Sequence, residues 1–207
     1  MENMNPEDVL NFMVLVNNLK HFPRRGWAYQ GVENVEQIAG HMYSMGMMTF
    51  FLGNDSKLDR LKCLQLAVVH DLAESIVGDI TPHDNIPVEK KHQMEDEAMK
   101  GISKLVGDEV GSLIYTLYKE YEAKETPEAK FVKDLDQFDL LCTASYYENR
   151  DQTPGKHQVF FDVMEGKIKH PFIKKLVDTL EAQRVRQRKG HLDEGDDIKS
   201  TLNGTKE

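Results

Sequence analysis

Residues Leu61 to Asp79 read LKCLQLAVVHDLAESIVGD, and this stretch decides the fold. Its apolar residues fall nearly all round a helix, and a helix of that kind is buried in a core. His70, Asp71 and Glu74 nonetheless sit in its middle. Buried charges are costly unless they are paired or bound to a metal. Glu74 is i+4 from His70 and i+3 from Asp71, so all three can serve one small volume. The spacing predicts a helix from Leu61 to Val77 that stops at Gly78, with a further carboxylate, Asp79, directly after it. Three ligand-type side chains inside an apolar helix, and a fourth where it stops, need a partner that packing does not supply.

Outward from this stretch, helical periodicity dominates. Asn5-Pro6-Glu7-Asp8 is a helix start: a cap, proline at the first helical position, then acids in the first turn. Val9, Leu10, Met13, Val16 and Leu19 follow at helical spacing and predict a helix that ends before Pro23. A second helix is expected from about Asn34 to Leu52, closed by Gly53, with Ile38, Met42, Met45 and Met48 as its apolar stripe. Pro87 opens another, with Met94, Ala98 and Ile102 inward and Lys90, Lys91, Glu95, Asp96 and Glu97 as a solvated face. Further helices are expected over 108–123, after Thr126-Pro127-Glu128, over a short segment around 158–164, and after His170-Pro171. Strand signals are weak throughout. The expected fold is all-α, a compact bundle of about eight helices forming one domain over 1–189, followed by a disordered polar tail over 190–207.

Bulk properties narrow the function. The chain has 207 residues, 40% hydrophobic and 29% charged, so a sizeable core is available. Its net charge of −9 comes without a basic stripe, which disfavours a nucleic-acid polymer as partner. No run approaches the roughly 18 apolar residues of a membrane span. The acidic MENMNPEDVL lacks a signal-peptide pattern, and Cys63 and Cys142 read as buried free thiols. An intracellular, cytoplasmic protein is expected.

Several residues carry candidate chemistry. Arg24-Arg25-Gly26-Trp27, with Tyr29 behind it, falls in an expected loop. It reads either as a solvated basic turn whose Trp covers the core, or as an anion clamp, since guanidinium matches phosphate geometry. His41 lies beside an apolar stripe and reads as a core histidine or as a ligand. Asp136 shares a stripe with Val132 and Leu140 and wants a metal, an arginine or a backbone N–H, whereas Asp134 is the exposed alternative. Two imidazoles and two carboxylates, His41, His70, Asp71 and Asp136, suit Mn, Fe, Co, Ni or Zn better than calcium. Such a mixed set, with coordination positions left open, is a hydrolytic arrangement.

The pattern His41…His70-Asp71…Asp136 on an all-helical chain resembles the HD-domain superfamily of metal-dependent phosphohydrolases. PRRGW, NVEQIAGHMYSM, VVHDLAESIVGDI and AKFVKDLDQFDLL resemble its 5′-deoxynucleotidase branch, and the likeness covers roughly residues 10–185. The resemblance implies that His41, His70, Asp71 and Asp136 hold the catalytic divalent ion. It implies that Glu74 and Asp79 serve catalysis and substrate contact. It further implies that Glu74, Asp79 and the Ile80 carbonyl hold a second ion such as Mg, that Arg24 orients the substrate phosphate, and that Trp27 lines the substrate pocket. Two residues separate Arg24 from Trp27 here, where a more distant bacterial 5′-deoxynucleotidase that the chain also resembles has Arg and Trp adjacent, and Arg25 is a second candidate for the phosphate. The implied activity is hydrolysis of deoxyribonucleoside 5′-monophosphates to deoxynucleoside and phosphate, by a chain that forms a homodimer. Spare apolar residues such as Phe160, Phe161 and Phe172 could serve that interface or the core. Alternatives are a family member acting on a cyclic nucleotide or a nucleoside triphosphate, with His83 and His92 as extra ligands, and a non-catalytic nucleotide-sensing scaffold.

Overall fold

The computed structural model describes residues 4–203, with side chains up to residue 188. Its helices are α1 (Pro6–Leu19), α2 (Arg25–Tyr29), α3 (Ile38–Met48), α4 (Arg60–Val69), α5 (Glu74–Val77), α6 (Val88–Lys104), α7 (Gly107–Ala123), α8 (Pro127–Arg150), α9 (Gln158–Met164) and α10 (Pro171–Asn203). Eight of them have at least seven residues. The fold is all-α: among the described residues the extended pairing is an isolated antiparallel bridge between Pro23 and Gln37. That bridge delays the second expected helix. Ile38 donates its N–H to Phe22 and Arg24 to Glu36, while Asn34 turns the chain at φ +50°, so α3 starts at Ile38, not near Asn34. The stretch expected as a polar tail, 190–207, lies outside the residues whose side chains are described.

The chain divides into two compact units, one ending at Lys133 and one beginning at Asp134. In the first, α3 packs on α4, α4 on α7 and α6 on α7, while α5 lies between α1 and α6. Local signals start these helices: Asn5 Oδ1 accepts the Glu7 N–H, and the Asp59 side chain accepts the Lys62 N–H. Ile38, Met45, Leu66, Met99 and Ile102 fill the interior. The α6–α7 contact requires glycine at position 111, where a Cβ would stand 2.0 Å from the Ser103 carbonyl oxygen.

In the second unit Leu135, Leu141, Phe161 and Ile173 are buried. Phe161 thus belongs to the interior, with the Arg184 guanidinium 3.5 Å from its ring centre. Asp134 corrects the expectation of an exposed acid. It is buried, and its Oδ2 accepts the N–H groups of Lys169 (2.9 Å) and His170 (2.6 Å) at the start of α10.

A second buried carboxylate, Glu148, takes two donors of Arg184 at 3.1 and 2.8 Å and the His157 N–H at 2.9 Å, and both ends of the pair are only 4% exposed. Burial alone would raise the Glu148 carboxyl. Arg184 and the N–H groups of His157 and Gly155 outweigh it and leave the group below the ordinary range. Glu148→Gln strands a buried guanidinium and is expected to cost about 3–5 kcal/mol in urea unfolding. A change within about 0.5 kcal/mol, the scale of surface substitutions, would reject this account. A depressed carboxylate stabilises fully above its unfolded pKa and stops doing so as pH falls through the folded value. The wild-type advantage over the variant should therefore fade in acid.

Candidate active site

The decisive stretch is not one continuous helix. α4 ends at Val69 and α5 begins at Glu74, and between them the backbone tightens. Leu72 N–H bonds to the Val69 carbonyl (3.0 Å), Glu74 to Asp71 (3.0 Å) and Ser75 to Leu72 (3.1 Å), all three residues back rather than four. At about three residues per turn, side chains i and i+3 eclipse, so Glu74 stands over Asp71. Gly78, at φ +73°, then turns the chain into Asp79.

His70 is buried, and its Nδ1 lies 2.9 Å from the Ala67 carbonyl oxygen. A carbonyl can only accept, so Nδ1 carries the proton and Nε2 turns a lone pair inward. That Nε2 is 3.1 Å from Asp71 Oδ2, and His41 Nε2, on buried α3, is 3.7 Å from the same oxygen. The imidazoles meet at 71° with centres 5.3 Å apart, and Tyr121 closes over His70 at 4.9 Å. One ligand atom from each of His41, His70 and Asp71 lies within 4.8 Å of the others. Electron pairs aimed together in this way repel unless a cation or a proton stands between them. The donor set therefore fits a divalent ion. Burial by itself would raise the Asp71 carboxyl, but His70, Arg24 and His41 outweigh burial and hold it well below the usual carboxylate range.

The two arginines take different directions. PRRGW is not a loop throughout, because α2 begins at Arg25. Arg24 Nη1 donates to Asp71 Oδ2 at 3.2 Å, and its Nε lies 4.0 Å from Glu36 Oε1. Trp27 is 2% exposed and donates its indole N–H to that same Glu36 oxygen at 3.0 Å, so it buttresses the arginine from within the core. Arg25 instead holds the loop after α5. Its backbone N–H donates to Asp79 Oδ2 (2.6 Å), and its guanidinium reaches the Asp79 carbonyl (3.2 Å) and Asp84 Oδ1 (2.6 Å). Asp84 also accepts the Thr81 N–H and hydroxyl, closing a capping box.

Glu74 is 4% exposed, and its Oε2 has no hydrogen-bond partner. Burial, reinforced by Asp71 and Asp79, pushes its carboxyl well above the ordinary range. A buried carboxyl with a raised pKa and an open oxygen is suited to carrying a proton at neutral pH.

Lys91 and Glu95 correct the solvated-face reading of α6. Glu95 is 8% exposed, and Lys91 Nζ donates to the Ile80 carbonyl at 3.2 Å while lying 3.5 Å from Glu95 Oε1. Their place beside Met94, and Glu95 at i−3 from Ala98, was the available signal. Of the extra histidines, His92 lies 3.7 Å from Glu122, and the His83 ring stacks on Tyr29 at 4.7 Å. Asp136 is half-buried on α8, in the second unit. Cys63 and Cys142 are free, and burial pushes both thiols up to about 12. No helix among the described residues is long and apolar enough to cross a membrane.

Comparison with known proteins meets this geometry. A family model described as HD domain matches residues 16–179. The chain is 47% identical over 176 residues to human (Homo sapiens) 5′-deoxynucleotidase HDDC2, covering 85% of this chain and 86% of that protein. It is 43% identical over 192 residues to 5′-deoxynucleotidase hdd1 of Schizosaccharomyces pombe, covering 87% and 96%. Among solved structures, the PH0347 protein from Pyrococcus horikoshii OT3 superposes with a TM-score of 0.68 at 30% identity, covering 86% of this chain and 99% of that one.

Proposed function

This chain belongs to the HD domain family, and from that premise we infer that it is a metal-dependent 5′-deoxynucleotidase. Its reaction is hydrolysis of deoxyribonucleoside 5′-monophosphates to deoxynucleoside and phosphate. The observation that carries the reading is the cluster of His41, His70 and Asp71 with Arg24 on its carboxylate and Glu74 one tight turn beyond. Relatives named 5′-deoxynucleotidase, 36–47% identical and spread across eukaryotes, supply the substrate class. We read residues 1–189 as the HD domain, because the family match runs from 16 to 179.

The HD fold implies a divalent metal, and the donor atoms of His41, His70 and Asp71 fit one. We assign Asp136 as the fourth ligand and keep Mn, Co, Zn, Fe and Ni as candidates, because the donors are nitrogen and oxygen together. When bound, such an ion lowers the pKa of water and neutralises charge on a phosphoryl group. The residues do the rest. A water oxygen bonds to phosphorus as the P–O5′ bond breaks, and the proton passes by way of Glu74 to O5′. Arg24, placed at Asp71, meets the phosphate where it approaches the ligand carboxylate. Trp27 acts from behind, through Glu36. Asp79, bonded to the Arg25 N–H, lies in the loop we assign to substrate contact, and Glu74, Asp79 and the Ile80 carbonyl, by the lone pair that Lys91 leaves open, are candidates for a second ion such as Mg.

Purified protein loaded with each divalent ion in turn and offered deoxy- and ribonucleoside monophosphates should release phosphate from the deoxy series. Release from neither series with any ion would overturn the reading. Turnover of a cyclic nucleotide or triphosphate alone would move the chain to another branch.

A homodimer in the cytoplasm completes the proposal. Free cysteines support a reducing compartment, and exposed Tyr43, Met47 and Phe50 beside Leu61 and Val68 support self-association. Light scattering that returns a monomer would remove the dimer.

A further inference from the structure

The loop after α5 is gripped at two consecutive carbonyls by cations from two different helices. Arg25 of α2 donates to the Asp79 carbonyl and Lys91 of α6 to the Ile80 carbonyl, each at 3.2 Å. Ile80 is buried, and Glu95, buried one turn along α6, lies 3.5 Å from the Lys91 ammonium. Lys91 is half-buried, and Ile80 O and Glu95 supply acceptors on the side of its ammonium turned from water. Asp79 itself follows a glycine at φ +73°, so the bonds to its neighbours, together with the Arg25 N–H on its carboxylate, fix which way it points.

We propose that Lys91 is a positioning residue for the reaction. By holding the Ile80 carbonyl, it fixes the Asp79–Ile80 backbone against α6 and keeps the Asp79 carboxylate in register with Glu74. Glu95 keeps the Lys91 ammonium on that carbonyl. Nothing in this role requires Lys91 to touch the substrate. The proposal rests on the nucleotidase reading for its assay. The chemistry behind it is preorganisation: a displacement of about 1 Å in a group that sets the reacting geometry can cost about 100-fold in rate.

The test compares wild type, Lys91→Met, Lys91→Arg, Glu95→Gln and Lys91→Met/Glu95→Gln in the metal-loaded protein, with one deoxynucleoside monophosphate as substrate. Methionine keeps the apolar stem and removes the donor. The double variant removes it without leaving an unpaired buried carboxylate. The expected result is a kcat lowered roughly 10- to 100-fold in Lys91→Met and in the double variant, with KM within about threefold and the ion at His41, His70 and Asp71 retained. Lys91→Arg, which can still reach the carbonyl, should recover most of kcat, and Glu95→Gln should fall between. A double variant with wild-type kcat would overturn the proposal, as would an unchanged kcat with KM raised, since that marks a substrate contact. If the wild type itself turns over no deoxynucleotide, the nucleotidase reading has failed. The brace is then judged by amide hydrogen exchange at residues 79–81, which Lys91→Met must accelerate if the proposal holds and leave unchanged if it does not.

Discussion

Asp71→Ala is expected to abolish nucleotide hydrolysis and to empty the metal site. The Asp71 Oδ2 atom is the point at which His70 Nε2 (3.1 Å), His41 Nε2 (3.7 Å) and Arg24 Nη1 (3.2 Å) converge. Its removal leaves two imidazole lone pairs without the anionic donor and a guanidinium without its carboxylate. Losing even an outer partner of a metal ligand typically costs 10- to 100-fold in affinity, so losing the carboxylate itself should cost at least about 100-fold. Elemental analysis of the purified variant should return less than stoichiometric metal, and phosphate release should fall to background. The backbone should survive, because the Asp71 carbonyl, which accepts the Glu74 N–H, is kept. Circular dichroism then separates loss of site from loss of fold. A variant that turns over normally would remove the site assignment.

Glu74→Gln is expected to separate chemistry from metal binding. Glutamine fills the same volume but cannot ionise, so kcat should fall about 10²- to 10⁴-fold, the range for losing a general acid–base group. Metal at His41, His70 and Asp71 should stay. Stability should move the other way. Burial, with Asp71 and Asp79 nearby, raises the Glu74 carboxyl, so the folded state binds its proton more tightly than the unfolded chain. For a raised carboxyl, stability falls as pH climbs from the ordinary glutamate value through the folded one. The metal-free variant escapes that fall and should unfold at the same or a higher temperature than metal-free wild type near pH 7. Wild-type kcat in the variant, or loss of the first ion, would refute this role for Glu74.

Much of this was legible in the chain because it is local. Apolar recurrence at helical spacing, Asn5-Pro6 and Thr126-Pro127 placed the helices, and adjacency in sequence put His70, Asp71 and Glu74 within a turn or so of one another. What misled the reading was equally physical. A continuous 3.6-residue period is compatible with the apolar pattern of 61–77, yet the hydrogen bonds at 71–76 close three residues back. Lys91 and Glu95 have the composition of a solvated face, but whether a charged face meets water depends on what packs over it, and Ile80 does. Asp134 looked exposed because its partners, the N–H groups of Lys169 and His170, lie 35 and 36 residues away.

The sequence by itself determined the all-α class, the capped helix starts at Asn5-Pro6 and Thr126-Pro127, and the ligand types, since these follow from side-chain period, capping and the chemistry of single residues. Tertiary structure alone decided which of two adjacent arginines faces Asp71, 47 residues distant, and which grips the loop after α5. It alone decided that Trp27 is an interior buttress bonded to Glu36. The physical reason is that a guanidinium or an indole N–H is satisfied by whichever acceptor the packing of other elements brings to it, and neither spacing nor composition encodes that choice locally.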